Sequence, residues 1–466
     1  MKRNWFLPAL AVSAAMMFSA CGDDSSTSST PVVTPGTPST PSTPSTPTPD
    51  PGTTPTTPTT QTYGILPTTA NPAASLTWYA SWKGTYYKSY IEEAAAYPIL
   101  AQDWSAVFGA YTAAGMFPAR IIWDTSSDSY CVIDECTNSY KKRGCTVSEG
   151  IGYGMLITLF AGDLDAFNSL WYYSKGYRDY QGGPQLTPWK TGTFSYESLG
   201  APANSSSATD ADLDIATALI VAYYQTGLAP YLEDALAIAN SIWTEEISPS
   251  LMIYSGNMAT WKTADPIFNL SYFSPVAIRL FAQVDKNHDW TGVLNTMYDY
   301  MLRVQAAGTG VFPDWTNTAG VAVNPKNGSA DKTYWMFYHE SVRIPWRIAW
   351  DYYWTQDPRA QQVLNTLNTF ISTKSGGDPA NLETTGKVMY SAVAGQPDGS
   401  TNSLLPNWHG AWCLTGMGGN QAWLDACTAS FNTKTFSGFN YFPHILMTMY
   451  SELLNGLFVK PATLPL

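Results

Sequence analysis

Residues 205–220 read SSSATDADLDIATALI, with three aspartates, Asp210, Asp212 and Asp214, standing two apart at the head of an apolar run. The continuation, DIATALIVAYYQ at 214–225, spaces its apolar residues by three and four, the period of one helix face. Asp210 and Asp214 then share a face, where like charges repel, so one of them needs a partner or points elsewhere. Thr209 and Asp212 fit a Thr-x-x-Asp capping box, which accounts for Asp212 and leaves Asp210 free to project from the helix start. Capping explains two of the aspartates and not the third.

The helical period recurs outward from this stretch. It is present in YLEDALAIANSIW at 231–243, WTGVLNTMYDYMLRVQAA at 290–307, RIPWRIAWDYYW at 343–354 and FPHILMTMYSELLNGLF at 442–458. Gly, Pro, Asn and Asp punctuate these segments, and strand alternation is scarce. The expected fold class is therefore all-α. Residues 71–466 show no compositional break and no fixed-period repeat. That length is too great for a simple bundle. A toroid of helical hairpins suits it, and one end of its axis offers a ring of loops for a long cleft.

Of the 466 residues, 14% are aromatic, including 18 Trp and 29 Tyr, only 13% are charged, and the formal net charge is −12. Phosphate binding needs a basic surface, so nucleic acid is excluded as a partner. Many rings and few charges suit a neutral, flat-faced ligand such as a sugar, although the same residue types also fill cores.

The N-terminus carries targeting signals. Lys2 and Arg3 precede the apolar stretch WFLPALAVSAAMMF at 5–18, which is too short for a membrane span, and FSAC ends at Cys21. Small residues before a cysteine resemble a bacterial lipoprotein cleavage site. Residues 1–20 are expected to be the signal peptide and Cys21 the lipidated first residue. Gly22 replaces the aspartate expected for inner-membrane retention, so the expected location is the outer membrane or cell surface. Residues 21–70, dominated by Ser, Thr and Pro, cannot bury a core and are expected to be an extended linker. An exported chain permits disulfides. Cys413 and Cys427 are expected to pair, while Cys131, Cys136 and Cys145 leave one odd. With no Cys-x-x-Cys and four histidines, zinc is disfavoured.

Four further stretches carry candidate chemistry. VSEGIGYGMLITLFAG at 147–162 puts Glu149 before Gly150, Gly152 and Gly154 at a helix start that Ser148 could cap. Glycines weaken a helix start unless something must approach closely, so a mere dipole-complementing role for Glu149 fits poorly. WMFYHESVRIPWRIAWDYYW at 335–354 sets Glu340, Arg343 and Arg347 at helical spacing among aromatics. That is a surface ion-pair ladder or a partly buried acid beside arginine. GTGVFPDWTNTAG at 308–320 places Asp314 beside Trp315 in a turn-rich loop, for ligand binding or turn closure. FNLSYFSPVAIRLF spans 268–281.

In this order, SEGIGYGM, ATDADLDIATALIVA, FNLSYFSPVAIRLF, FPDWT and ESVRIPWRIAWDY resemble the motifs of glycoside hydrolase family 8, over nearly all of residues 75–460. The resemblance implies an (α/α)6 barrel with a long cleft, inverting chemistry, and no cofactor or metal. It maps Glu149 onto the general acid and Asp210 onto the carboxylate that positions the sugar and stabilises the transition state. It maps Glu340 onto the base, and Trp189 and Trp315 onto stacking platforms. Tyr153, Asp212, Asp314, His339 and Arg343 are further candidate substrate contacts. Two departures stand out: Leu270 replaces a usual proline, and His-Glu at 339–340 replaces the usual Tyr-Asp. Glutamate reaches one methylene further than aspartate, and His339 could tune or share the role of Glu340. The implied activity is endo-hydrolysis of β-1,4-glucan by a monomer. Xylan, mixed-linkage glucan and chitosan are alternative substrates, and a non-catalytic glycan-binding surface lipoprotein is an alternative of another class.

Overall fold

A computed structural model describes residues 65–96, 104–123, 146–191, 206–325, 333–382, 389–399, 406–435 and 440–466. The chain divides between Thr62 and Tyr63, and the following concerns the second unit. Cys21, Cys131, Cys136 and Cys145 lie outside the described residues.

Six helices form a closed inner ring: α4 (Ser148–Phe160), α6 (Thr209–Thr226), α8 (Pro275–Val284), α10 (Ile344–Thr355), α12 (Pro406–Leu414) and α14 (Tyr441–Leu454). Each is backed by an outer helix, in turn α5 (Leu164–Gln181), α7 (Ala229–Glu246), α9 (Trp290–Ala307), α11 (Pro358–Ser375), α13 (Gln421–Phe431) and α1 (Pro72–Tyr86). The shorter α2 (Tyr90–Ala96) and α3 (Ser105–Ala113) complete the described helices. This is the (α/α)6 barrel.

The two rings differ in sequence for a physical reason. Every residue of α4 except Glu149 is buried, as is the whole of α6 from Thr209 to Ala222. A helix surrounded on all sides must be apolar all round, which is why residues 147–162 lack a polar face. Outer helices such as α5 keep an amphipathic pattern. Gly152 lets α4 and α6 touch: a Cβ there would lie 3.1 Å from the Ala211 carbonyl and 3.0 Å from the Asp214 Cβ. The glycines of that stretch thus serve close helix approach.

Both expected caps are corrected. α6 begins at Thr209, its N-cap is Ala208, and no side chain caps it. Asp212 instead turns sideways, its Oδ1 accepting from the Thr187 amide at 2.7 Å. α4 begins at Ser148 itself, after Val147 in extended conformation, again with no side-chain cap. In both cases the helix starts on the residue expected to cap it, so that side chain is already inside the first turn.

Two-residue antiparallel ladders brace the loops that lead into the inner ring. β3 (Thr146–Val147) pairs with β4 (Lys190–Thr191) ahead of α4, β5 (Ile267–Phe268) with β6 (Thr316–Asn317) ahead of α8, and β7 (Met336–Phe337) with β8 (Tyr390–Ser391) ahead of α10. A fourth ladder joins β1 (Tyr87–Ser89) to β2 (Ala119–Ile121). Cys413 and Cys427 form the expected disulfide, tying α12 to α13 with a Cα–Cα distance of 5.2 Å. The one three-member group of metal-type ligands among the described residues is His409 with these two cysteines, whose sulfurs are bonded to each other. Residues 66–68, assigned to the linker by composition, belong to the folded unit: Thr68 bonds Asp425 of α13 through its amide and its hydroxyl, and Gln421 donates to the Leu66 carbonyl.

Candidate active site

The inner helices alternate with outer ones, so their N-termini gather at one end of the barrel. Glu149 stands in the first turn of α4, Asp210 in the first turn of α6, and Tyr441 opens α14. Glu340 and Arg343 sit in the turn that enters α10, and ahead of α8 Asn269 caps a 3-10 turn that ends on Tyr272. The positive ends of the helix dipoles converge there, an environment that favours anionic groups.

One guanidinium gathers the three carboxyl groups singled out by sequence. Nη1 of Arg343 donates to Glu149 Oε2 at 2.7 Å and to Asp210 Oδ2 at 3.0 Å, and Nη2 donates to Glu340 Oε2. Of the two readings of 340–347, the structure shows the buried acid beside arginine and not the surface ladder. Arg347 turns away from Glu340 to grip Asp214 through both amino nitrogens, with Nη2 at 2.8 Å from Oδ2, both side chains fully buried. This settles the like-charge conflict on α6, because Asp210 and Asp214 each meet a different arginine.

The three acids differ in what remains free. Glu149 has both oxygens engaged, Oε1 accepting from the Tyr441 hydroxyl at 3.0 Å. Its pKa is pushed up to about 7, chiefly by burial, with Arg343 opposing and the charges of Asp210 and Glu340 adding. Glu340 takes its bonds from Arg343 and from Asn269 Nδ2, the latter at 2.6 Å, both on Oε2. Its Oε1 is left to whatever enters the site. Asp210 Oδ1 is buried with no donor, although buried acceptors are normally satisfied.

The other expected contacts separate into those at the site and those behind it. Trp189 is half-buried, and its backbone joins the two acid-bearing helices: its carbonyl accepts from the Ser148 amide and its amide donates to the Ser206 carbonyl, both at 2.8 Å. Trp315 is only 5% exposed, because Trp261 lies parallel over it with ring centroids 5.8 Å apart. The accessible ring of that platform is Trp261, which sequence reasoning missed. Tyr153 is fully buried and holds Arg343 from behind, its hydroxyl accepting from Nη1 at 3.3 Å.

Asp314 is turned inward to the chain. Its Oδ1 accepts from the Tyr338 amide, the Ser341 amide and the Ser341 hydroxyl at 3.1, 2.9 and 2.7 Å, so it closes the turn that presents Glu340. Burial and the nearby Glu340 charge push it up to about 7. Asp212 is fully buried and faces Thr187 instead of the cluster. Burial and the charge of Glu246 hold its carboxyl well above the usual range. The ring of His339 packs against Tyr338 and Trp408, with centroids 3.9 and 5.3 Å away. Leu270, in place of proline, still starts the 3-10 turn, because the Asn269 side chain caps it by accepting from the Ser271 amide.

Asn269, Tyr272 and Tyr441 complete the cluster without having been singled out. Asn269 and Tyr272 both lie in FNLSYFSPVAIRLF, where no local pattern marks either as a partner of the acids. Tyr272 places its ring 5.4 Å beneath the Arg343 guanidinium. Tyr441 reaches Glu149 across 292 positions of chain, a separation no local pattern reveals.

An acid held near neutral pKa, facing a second carboxylate across one guanidinium, with the half-buried Trp189 bonded through its backbone to the start of the acid's helix, defines a class: enzymes that cleave glycosidic bonds by acid–base catalysis. Comparison with known proteins gives the family. The family model for glycosyl hydrolases family 8 matches residues 115–395, and the chain belongs to that family. It is 29% identical over 327 residues to a beta-glucanase of Niallia circulans, covering 64% of this chain and 78% of that protein. It is 31% identical over 321 residues to Endoglucanase 2 of Ruminiclostridium josui, covering 67% and 64%. Among solved structures, the fold resembles a beta-1,3-1,4-glucanase from Paenibacillus sp. X4 with a TM-score of 0.65 at 21% identity, covering 85% of this chain and 96% of that one. It also resembles the endo-beta-1,4-glucanase CMCax from Acetobacter xylinum, with a TM-score of 0.55 at 18% identity, covering 82% and 98%. The protein is a glycoside hydrolase.

Proposed function

We propose that the protein is an endo-acting, inverting hydrolase of β-1,4-glucan, with Glu149 as acid, Glu340 as base and Asp210 positioning the sugar. The observation that carries this reading is the shared Arg343 guanidinium, with Glu149 and Glu340 on different amino nitrogens. Glu149, raised to about 7, holds its proton below about pH 7 and gives it to the departing glycosidic oxygen. Glu340 accepts a proton from water at Oε1 as that water bonds to the anomeric carbon from the opposite face. The old C–O bond breaks as the new one forms, and the configuration inverts. An inverting pair needs a separation of roughly 6.5–9.5 Å to admit the water, so the longer reach of glutamate over aspartate is accommodated by holding Oε2 back on Arg343 and Asn269. Asp210 Oδ1, buried without a donor, accepts from a sugar hydroxyl at the cleavage point.

The endoglucanase and beta-glucanase names of the relatives favour a β-glucan as substrate. The test is reducing-end release from carboxymethylcellulose, lichenan, xylan and chitosan, with Glu149→Gln as control. Release from the glucans that disappears in the variant is expected. Release from xylan or chitosan alone, or a fully active variant, overturns the proposal. We also propose that Cys21 is lipidated and anchors the protein at the outer membrane or cell surface, and a Cys21→Ser variant that still partitions with membranes would refute it.

A further inference from the structure

On the outer wall of the barrel, α11 leaves a groove of about 750 Å³ whose lining is neutral apart from Lys374. The helix reads PRAQQVLNTLNTFISTKS, with its only charges, Arg359 and Lys374, near its two ends. The neighbouring long outer helices carry charges within their length, such as Asp299 and Arg303 in α9. A solvated outer face is ordinarily laced with charges, so fourteen consecutive neutral residues there call for a reason. Gln362, Asn365, Thr369 and Thr373 are exposed along the groove. They offer amides and hydroxyls that both donate and accept, with no fixed charge. Phe370 lies half-buried among them, its ring edge-on to Tyr390 at 5.3 Å. The single cation at the groove, Lys374, is bonded to Asp398 at 3.0 Å and lies over both rings.

From Gln362 to Thr373 the helix rises roughly 17 Å, about the length of three sugars in an extended chain. We propose that this groove is a second glycan-binding site, taking a neutral, extended β-linked chain of the polymer that the cleft cleaves. The ligand class rests on the β-glucan reading above. The groove is also joined to the catalytic turn. Tyr390 lies in β8, which pairs with β7, and β7 ends three residues before Glu340. Thr309 at the groove bonds the Ser391 carbonyl at 2.6 Å. A strand held here is anchored against the framework that carries the base.

The test uses the whole chain with Gln362→Glu and Thr369→Glu together, both exposed substitutions on a well-formed helix. The expected result is a loss of about tenfold in affinity for swollen cellulose and in affinity electrophoresis on lichenan. Hydrolysis of short soluble oligosaccharides should be unchanged. Retention is read in parallel in a Glu149→Gln background, so binding is scored without turnover. Unchanged retention on both polymers overturns the groove as a glycan site even when the parent is an active glucanase. A groove-dependent loss of retention in a parent that cleaves no β-glucan supports the groove and counts against the hydrolase reading alone.

Discussion

Arg343 is the residue on which the account depends most. Its side chain is 3% exposed, and it contacts Asp210 and Glu340 at 2% and 9% exposure and Glu149 at 19%. Removing the guanidinium by Arg343→Met leaves two deeply buried carboxyls without a countercharge, a change that costs about 3–5 kcal/mol when one partner of a buried pair is lost. The carboxyls can relieve part of this by taking up protons. Arg343 is the largest influence holding the Glu149 pKa down, so its loss moves that pKa above 7. Arg343→Lys is the more informative variant. An ammonium is a point charge: it can replace Nη1 between Glu149 and Asp210, or Nη2 at Glu340, but not both. The expected kcat/KM for Arg343→Lys is about 100-fold down, equivalent to about 2.7 kcal/mol of transition-state stabilisation. For Arg343→Met the expected change is a further fall in rate and a lower melting temperature. The assay is reducing-end release against pH on a soluble glucan, paired with thermal melting. An Arg343→Lys enzyme within threefold of wild type, with an Arg343→Met protein of unchanged stability, would refute the idea that this one side chain assembles the site.

Other outcomes follow from the same geometry. An acid must be protonated to act, so kcat/KM should fall as pH rises through about 7, the value of Glu149. Tyr441→Phe removes a hydrogen bond that favours the Glu149 carboxylate and should move this alkaline limb upward, and a limb that moves down contradicts the assignment. Glu340→Gln should lower turnover by several orders of magnitude with melting little changed, and near-wild-type activity excludes it as the base. Away from the site, Asp234 is paired with Arg178 at 2.6 Å, and its pKa is lowered to about 2, with Arg178 the largest favourable influence against burial. Because the folded value lies below the unfolded one, this contribution, about 2 kcal/mol, is present above pH ~4 and lost as pH falls toward 2. The melting gap between wild type and Asp234→Asn should therefore narrow on acidification, and a constant gap argues against the linkage.

Much of the barrel was legible because helix period is written locally. The three-and-four spacing of apolar residues marks helices such as 214–225, and the near-continuous apolar run after Glu149 fits a helix surrounded on all sides. Glu149, Asp210 and Glu340 stood out because charges among buried residues need a reason. Arg343 was visible as a helical neighbour of Glu340 and a candidate substrate contact, but its role as the common partner depends on three helix ends meeting in space. Asn269, Tyr272, Tyr441 and Trp261 were not singled out for the same reason. The misassigned residues share a second cause. Ser148, Thr209 and Asp212 were read as caps of helices that begin one residue earlier than a cap requires. Tyr153, a candidate ligand contact, serves Arg343 instead, and of the two readings of Asp314 the structure shows turn closure. Residue type signals that a polar group has a job but not whether its partner is substrate or protein.

The central claim is that Glu149 and Glu340 work on opposite faces of one glycosidic bond. Time-resolved proton NMR of a cello-oligosaccharide digest, read before mutarotation, tests it most directly. The α-anomer at the new reducing end should appear first. Early accumulation of the β-anomer would mean a retaining reaction and would contradict the account.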